Sequence, residues 1–170
     1  LTDSPGSDSP AGPIPTEHRS IEERRLDFWI GDWELDSRSR VAPDSDEWTL
    51  GKASNRVRHV LDRGAVLEEF DARPSEDFRG MSLSIFDRTE GGWRQAWVDT
   101  AGHYMDFRGR WTGDRMIFSR ECVKDSLPVL QRMVFHDITT DRFVWDWESS
   151  SDDGRTWLLL WRLVYHRRST

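Results

Sequence analysis

Cysteine is almost missing from this chain of 170 residues: Cys122 stands alone, so an internal disulfide framework and a multi-cysteine metal site are both excluded. Positive charge is also short. Lys and Arg number 24 against 31 Asp and Glu, for a net charge of -7, which removes the basic footprint that nucleic acid or an anionic membrane surface needs. No nucleic-acid partner and no membrane partner is expected. The longest apolar run, Trp157 to Trp161, falls far short of the roughly 20 residues of a membrane helix. The opening stretch LTDSPGSDSPAGPIP lacks the basic start and apolar centre of a signal peptide. Its Pro, Ser and Gly content reads as a disordered lead-in over 1–15. With the reduced cysteine usage, a cytoplasmic location fits best.

Catalytic and cofactor motifs are scarce as well. No P-loop, no G-x-G-x-x-G and no G-x-S-x-G elbow occurs, so nucleotide cofactors and elbow-type serine catalysis have no support. The five histidines, His18, His59, His103, His136 and His166, show neither H-x-H nor H-E-x-x-H spacing, and nothing singles one out for haem. Cys122 follows Glu121, a neighbour that raises rather than lowers a thiol pKa. No metal and no cofactor is expected.

Tryptophan is abundant, with ten in the chain. Trp93 and Trp97, Trp145 and Trp147, and Trp157 and Trp161 each lie an even number of residues apart, so each pair points to one face of a strand. An indole buries a large apolar area and keeps one N–H donor. That suits a ligand cavity as well as a packed core.

Thr16 to Trp29 reads as one helical segment, with Ser20 and Glu23 at capping-box spacing. After Gly31 the period changes to alternation, broken by turn signals such as Gly91-Gly92, Thr112-Gly113-Asp114 and Ser151-Asp152-Asp153-Gly154. The strands fall near 32–40, 48–60, 65–73, 79–88, 92–99, 103–111, 115–122, 129–137, 141–149 and 156–166. Hairpins in sequence without crossover helices predict an all-β, antiparallel, up-and-down closed barrel of about ten strands over 16–170. A β-sandwich is the other solution. The barrel is favoured because Trp-bearing strands can then line a cavity instead of burying both faces.

Gly31-Asp32-Trp33 after a short helix resembles the G-x-W opening of the lipocalin-like, or calycin, barrels. The resemblance implies that Trp33 plugs the closed end and that an Arg of the last strand packs on it, Arg162 being the candidate. The succession LDFWIGDWEL, AVLEEF, SIFDRTEGGWRQAWVD, LQRMVF and WESSSDDGRTW also resembles an uncharacterised bacterial family of unknown function. Phe86-Asp87, Trp97-Val98-Asp99 and Arg132 stand at its pattern positions. That likeness implies a fold and no particular chemistry.

Alternation assigns faces where one side is clearly more apolar or aromatic. Ala53, Asn55, Val57 and His59 point inward from the second strand, Met81, Leu83 and Ile85 from the fourth, and Trp93, Gln95, Trp97 and Asp99 from the fifth. His103, Met105, Phe107 and Trp111 follow from the sixth, and Phe143, Trp145 and Trp147 from the ninth. The third, seventh, eighth and tenth strands carry apolar groups on both faces. There the choice falls on Val66, Glu68 and Phe70; Met116, Phe118 and Arg120; Leu130, Arg132, Val134 and His136; and Trp157, Trp161 and Tyr165.

An aromatic cavity with a few polar groups results. Asn55, His59, Gln95, Trp97, Arg120, Arg132, Trp145 and Trp147 are the candidate ligand contacts, since buried guanidinium groups need a carboxylate or an anionic ligand. Glu68, Asp99 and His103 are the candidates for acid–base catalysis, because burial among indoles moves such groups toward neutrality. Asp99 and His103 flank Thr100-Ala101-Gly102 and equally suit turn capping. The leading reading is a barrel that binds a small apolar or aromatic molecule, such as a natural-product intermediate. A cofactor-free cyclase, isomerase or hydrolase using the same cavity is the alternative, on fold analogy. An association module lacks an exposed apolar patch to support it, and whether the chain forms a homodimer is left open.

Overall fold

In the computed structural model, which describes residues 19–73 and 75–169, ten strands follow one another. They are β1 (Gly31–Arg40), β2 (Trp48–Val60), β3 (Ala65–Asp71), β4 (Arg79–Asp87), β5 (Gly92–Asp99), β6 (Tyr104–Thr112), β7 (Arg115–Lys124), β8 (Leu127–His136), β9 (Arg142–Ser150) and β10 (Leu158–Arg167). Each pairs with its sequence neighbours and β10 closes antiparallel on β1. The expected up-and-down closed barrel is therefore present, every strand being paired on both sides over at least part of its length. The lead-in assigned to 1–15 lies outside the described residues.

Local chemistry sets the hairpins. Asp125 and Ser126 form the two-residue link between β7 and β8, with φ of 51° and 65°, the positive pair that a twist-matched hairpin turn demands. Asp152 accepts from the Thr156 amide at 2.9 Å and from the hydroxyls of Ser150 and Thr156 at 2.7 Å each, which ties down the β9–β10 turn. These bonds, led by those from Thr156, hold the Asp152 carboxyl down at about 2.

The expected helix over 16–29 is, within the described residues, two 3-10 turns, Glu22–Arg24 and Asp27–Trp29. Its capping box is formed: the Glu23 amide donates to Ser20 Oγ at 3.2 Å, and the Ser20 amide to Glu23 Oε2 at 2.7 Å. The tighter winding has a packing reason. Leu26 and Trp29, three residues apart, are both buried in the end of the barrel, and a spacing of three eclipses side chains in a 3-10 turn.

Trp33 sits under that plug and donates its indole N–H to the Trp29 carbonyl at 2.8 Å. The arginine that packs on it is Arg167, not Arg162: the Arg167 guanidinium lies 4.1 Å from the Trp33 ring and donates to the carbonyls of Ile30 at 2.9 Å and Phe28 at 3.3 Å. Arg162 faces outward and grips Asp146 through Nε and Nη2 at 2.5 Å each. Parity decides between them. Arg167 is directly opposite Trp33 in the ladder, and Arg162 is an odd number of residues away from it. Gly31, with φ of +143°, leaves the space the Arg167 head occupies, since a Cβ there would lie 2.3 Å from Nη1.

Register carries the inward face around the barrel from Trp33 through Asn55, Phe70, Gly80 and Asp99. Two strands oppose the sequence reading. On β4 the inward residues are Gly80, Ser82 and Ser84, while Met81, Leu83 and Ile85 are 43%, 45% and 48% exposed. On β8 the inward residues are Val129, Gln131, Met133 and Phe135, which turns Leu130, Arg132, Val134 and His136 outward. Trp157 precedes β10, and the register shift between Leu159 and Trp161 separates it from the inward row. The β4 strip, joined by the exposed Val98 paired with Met81, is also an apolar outer patch that the alternation argument excludes. No helix among the described residues is long and apolar enough to cross a membrane.

Candidate functional site

Away from the plug the barrel holds a cavity of about 730 Å³. Indoles form much of its wall. Trp145 and Trp147 stand two apart on β9 and stack at 6.4 Å with planes 12° apart, Trp161 meets Trp145 edge-on at 5.3 Å, and Phe107 meets Trp147 edge-on at 5.8 Å. Phe78, from the segment between β3 and β4, stacks on Trp97 at 6.5 Å and closes the wall on that side.

The inward face of β4 makes room for this arrangement. A Cβ on Gly80 would lie 2.1 Å from Trp97 Cζ2, so the indole can lie flat only over glycine. Ser82 and Ser84 reach polar partners on the adjoining strands: Ser82 donates to Glu68 Oε2 at 2.6 Å, and Gln95 donates to Ser84 Oγ at 2.9 Å. Small polar residues face inward here because large ones from β3 and β5 fill the space above them.

Glu68 is a buried carboxylate on the cavity wall. Asn55 Nδ2 donates to its Oε1 at 2.7 Å and to the Tyr165 hydroxyl at 2.9 Å. Burial pushes the Glu68 carboxyl up to about 7, against the pull of the bonds from Ser82 and Asn55. Tyr165 is likewise driven well above its ordinary value, first by burial and then by Glu68. Near neutrality Glu68 therefore exchanges a proton easily, whereas Tyr165 stays a neutral hydroxyl.

Asp99 and His103 stand at the open mouth. Burial raises the Asp99 carboxyl, but the bonds from the Trp97 indole and from His103 outweigh it and hold it below the usual range. It accepts from Trp97 Nε1 at 2.9 Å, from the amides of Ala101 at 3.0 Å and His103 at 3.1 Å, and faces His103 Nδ1 at 3.1 Å. Every lone-pair direction of Asp99 is in use within the hairpin. The His103 ring is largely exposed.

The other expected contacts divide. Trp97, Arg120, Trp145 and Trp147 line the cavity. Asn55 and Gln95 are buried on the inner face, each with its carbonyl oxygen unmatched among the described residues. His59 lies at the plugged end, 3.3 Å from Asp27, where burial lowers its pKa. Arg132 is outside the barrel: its Nε donates to Glu148 at 2.6 Å and its guanidinium lies 3.8 Å from the Trp157 ring. The one-residue error on β8 also hid Gln131, which lines the cavity and accepts from Cys122 Sγ at 3.3 Å. Ser82 was hidden in the same way by β4.

Arg120, on the cavity wall, keeps both Nε and Nη1 buried and unbonded among the described residues. Together these groups can stack a planar molecule, exchange a proton with it at Glu68, and attract an anion at Arg120. No group of three or more metal-capable side chains occurs among the described residues.

No family model and no curated protein matches the chain. Among solved structures the chain is similar to Rv2717c from M. tuberculosis, with a TM-score of 0.59 and 11% identity over 88% of this chain and 99% of that one. It is also similar to the S-type phycobiliprotein lyase CPES from Guillardia theta, with a TM-score of 0.52 and 11% identity over 89% of this chain and 99% of that one. At such identity the likeness is one of fold. With the closed ten-strand topology, it gives the chain a lipocalin-like barrel fold.

Proposed function

We propose that the barrel binds a small, planar, largely aromatic molecule in its cavity. The observation that carries this reading is the pairing of an indole-walled space of about 730 Å³ with buried polar groups that the protein leaves unmatched. A volume of several hundred Å³ suits a small organic molecule. Buried donors without partners are costly, and a bound molecule that satisfies them recovers that cost. Trp97, Trp145 and Trp147 supply the stacking surface, with Arg120 as the polar contact on the wall and Asn55 and Gln95 buried behind it.

Titration of the intrinsic tryptophan fluorescence with a panel of planar aromatic compounds tests this. Saturable quenching by members of the panel is expected, and no quenching across it counts against the reading.

Glu68 favours a second reading, a cofactor-free enzyme acting on the molecule bound there. A carboxyl poised at about 7 on the cavity wall is matched to acid or base work at neutral pH, and one protein of this fold is a lyase. In that reading Glu68 transfers the proton, and Asp99 with His103 shapes the mouth. Glu68→Gln is expected to abolish turnover of a bound substrate while leaving quenching intact. Unchanged turnover removes Glu68 from the role.

A further inference from the structure

β6 and β7 part company at the open end of the barrel. Their ladder runs from Thr112 opposite Arg115 to Arg108 opposite Ser119 and stops. Both strands go on: β6 remains paired with β5 as far as Tyr104, and β7 with β8 as far as Lys124. Residues 104–107 and 120–123 thus face each other across a seam without pairing. Adjacent strands that continue side by side ordinarily keep their ladder, because unpaired backbone groups are costly away from water.

A second hollow of about 640 Å³ lies at this seam. Phe107 and Arg120 belong to its lining and also to the wall of the main cavity. The two spaces therefore meet at these side chains. Arg120 holds its guanidinium 5.8 Å from the Phe107 ring. On the outer side Arg94 and Arg108 are paired with Glu90, and Arg132 is paired with Glu148. Asp106 accepts from Tyr104, and Glu121 completes the rim. Arg120 differs from the arginines around it: no carboxylate lies within ion-pair distance of it among the described residues, and two of its nitrogens are buried unbonded.

We propose that the β6–β7 seam is a second doorway of the cavity, and that Arg120 in that doorway recognises an anionic group, a carboxylate or sulfonate, on the aromatic molecule bound inside. This rests on the cavity being a binding site and adds the charge of the ligand and its route. Inside, the flat body lies against Trp147 and Phe107. Its acidic end points into the seam, where the unbonded Nε and Nη1 of Arg120 each keep an N–H for an anion's oxygens. The open strands give the anion a path that does not cross the indole wall.

Anilinonaphthalene sulfonate and phenylnaphthylamine share one ring skeleton and differ by the anion, so the full chain is titrated with each, by quenching of its own tryptophans, beside Arg120→Leu. The substitution is expected to weaken the sulfonate probe by about tenfold or more and to leave the neutral probe within about twofold. Equal weakening of both probes, or of neither, overturns Arg120 as the anion receptor. Quenching of the unaltered chain by neither probe overturns the binding reading, and the doorway with it. The route is tested with Asp106→Cys and Glu121→Cys in a Cys122→Ser background, comparing protein bridged by a short bis-maleimide with the same protein capped by N-ethylmaleimide. In stopped flow the bridge is expected to slow both association and dissociation of the sulfonate probe by about tenfold. Unchanged rates overturn the doorway while leaving the Arg120 result standing.

Discussion

At the plugged end, Trp33 is 1% exposed, its N–H is held by the Trp29 carbonyl and its face is covered by Arg167. At the open end, Trp145, Trp147 and Trp161 touch one another, yet each also presents ring surface to the cavity. The side chain is the same and the surroundings differ. The plug supplies Trp33 with an acceptor for its N–H and with a guanidinium over its ring, so this indole itself is fully matched. On the cavity side Arg120 keeps unmatched donors, and burial, with no opposite charge beside it, raises the Glu68 carboxyl to about 7. What surrounds each ring separates scaffold from site more sharply than tryptophan content does.

The strongest way to break this comparison is to remove the plug. Trp33→Ala deletes a fully buried ring at a closed junction, and a loss of about 3–5 kcal/mol is expected, read as a fall in the denaturation midpoint. A loss below about 1 kcal/mol would show that the plugged end is not the scaffold.

Glu68 gives the next effect, and its sign is opposite to that of the carboxylates at the turns. Its folded-state value of about 7 lies above the ordinary 4.5, so the folded state holds the proton more tightly than the unfolded one. Stability from this group is present below about 4.5 and is lost as pH rises through about 7, by about 3 kcal/mol in all. Glu68→Gln carries no such charge. Its stability relative to the unaltered chain is therefore expected to improve between pH 5 and pH 8, measured by denaturant unfolding at each pH. A difference that does not change with pH would mean that Glu68 is not buried as a free carboxyl.

Strand order, hairpin positions and the capping box were legible because each depends on local pattern: alternation, turn residues and a three-residue spacing. Faces were legible where apolarity and inwardness coincide, as on β5, β6 and β9. They do not coincide on β4, whose Gly80, Ser82 and Ser84 face inward beneath Trp97, Glu68 and Gln95. The same conflict on β8 placed Arg132 inside and Gln131 outside. A barrel that encloses a cavity requires some strands to be small and polar within, and which strands yield that space depends on neighbours far off in sequence. Arg167 was missed for a simpler reason: its parity relative to Trp33 depends on a ladder between the two ends of the chain.

Gly80→Ala tests the yielding strand directly. Its new methyl would meet the Trp97 ring, which is also tethered to Asp99 at 2.9 Å. Overpacking of this kind costs about 1–3 kcal/mol. The indole is expected to leave its shelf, with a shift in tryptophan emission and weaker binding of planar probes. Unaltered emission and unaltered binding would show that the Gly80 shelf does not set the wall.

Trp147→Ala is the mildest change and the one that sharpens the comparison most. Trp147 is only partly buried and faces the cavity, so its removal enlarges a space that already exists instead of opening a void in a close-packed core. The cavity term that makes Trp33→Ala costly is then largely missing, and a loss of about 1 kcal/mol is expected. Binding should respond more. Trp147 forms a stacked platform with Trp145 and meets Phe107 edge-on, so a planar probe that lies on it is expected to weaken by about tenfold. A large fall in stability with unchanged probe affinity would place Trp147 with the scaffold. Near-normal stability with lost affinity would place it in the site, beside the unmatched donors of Arg120.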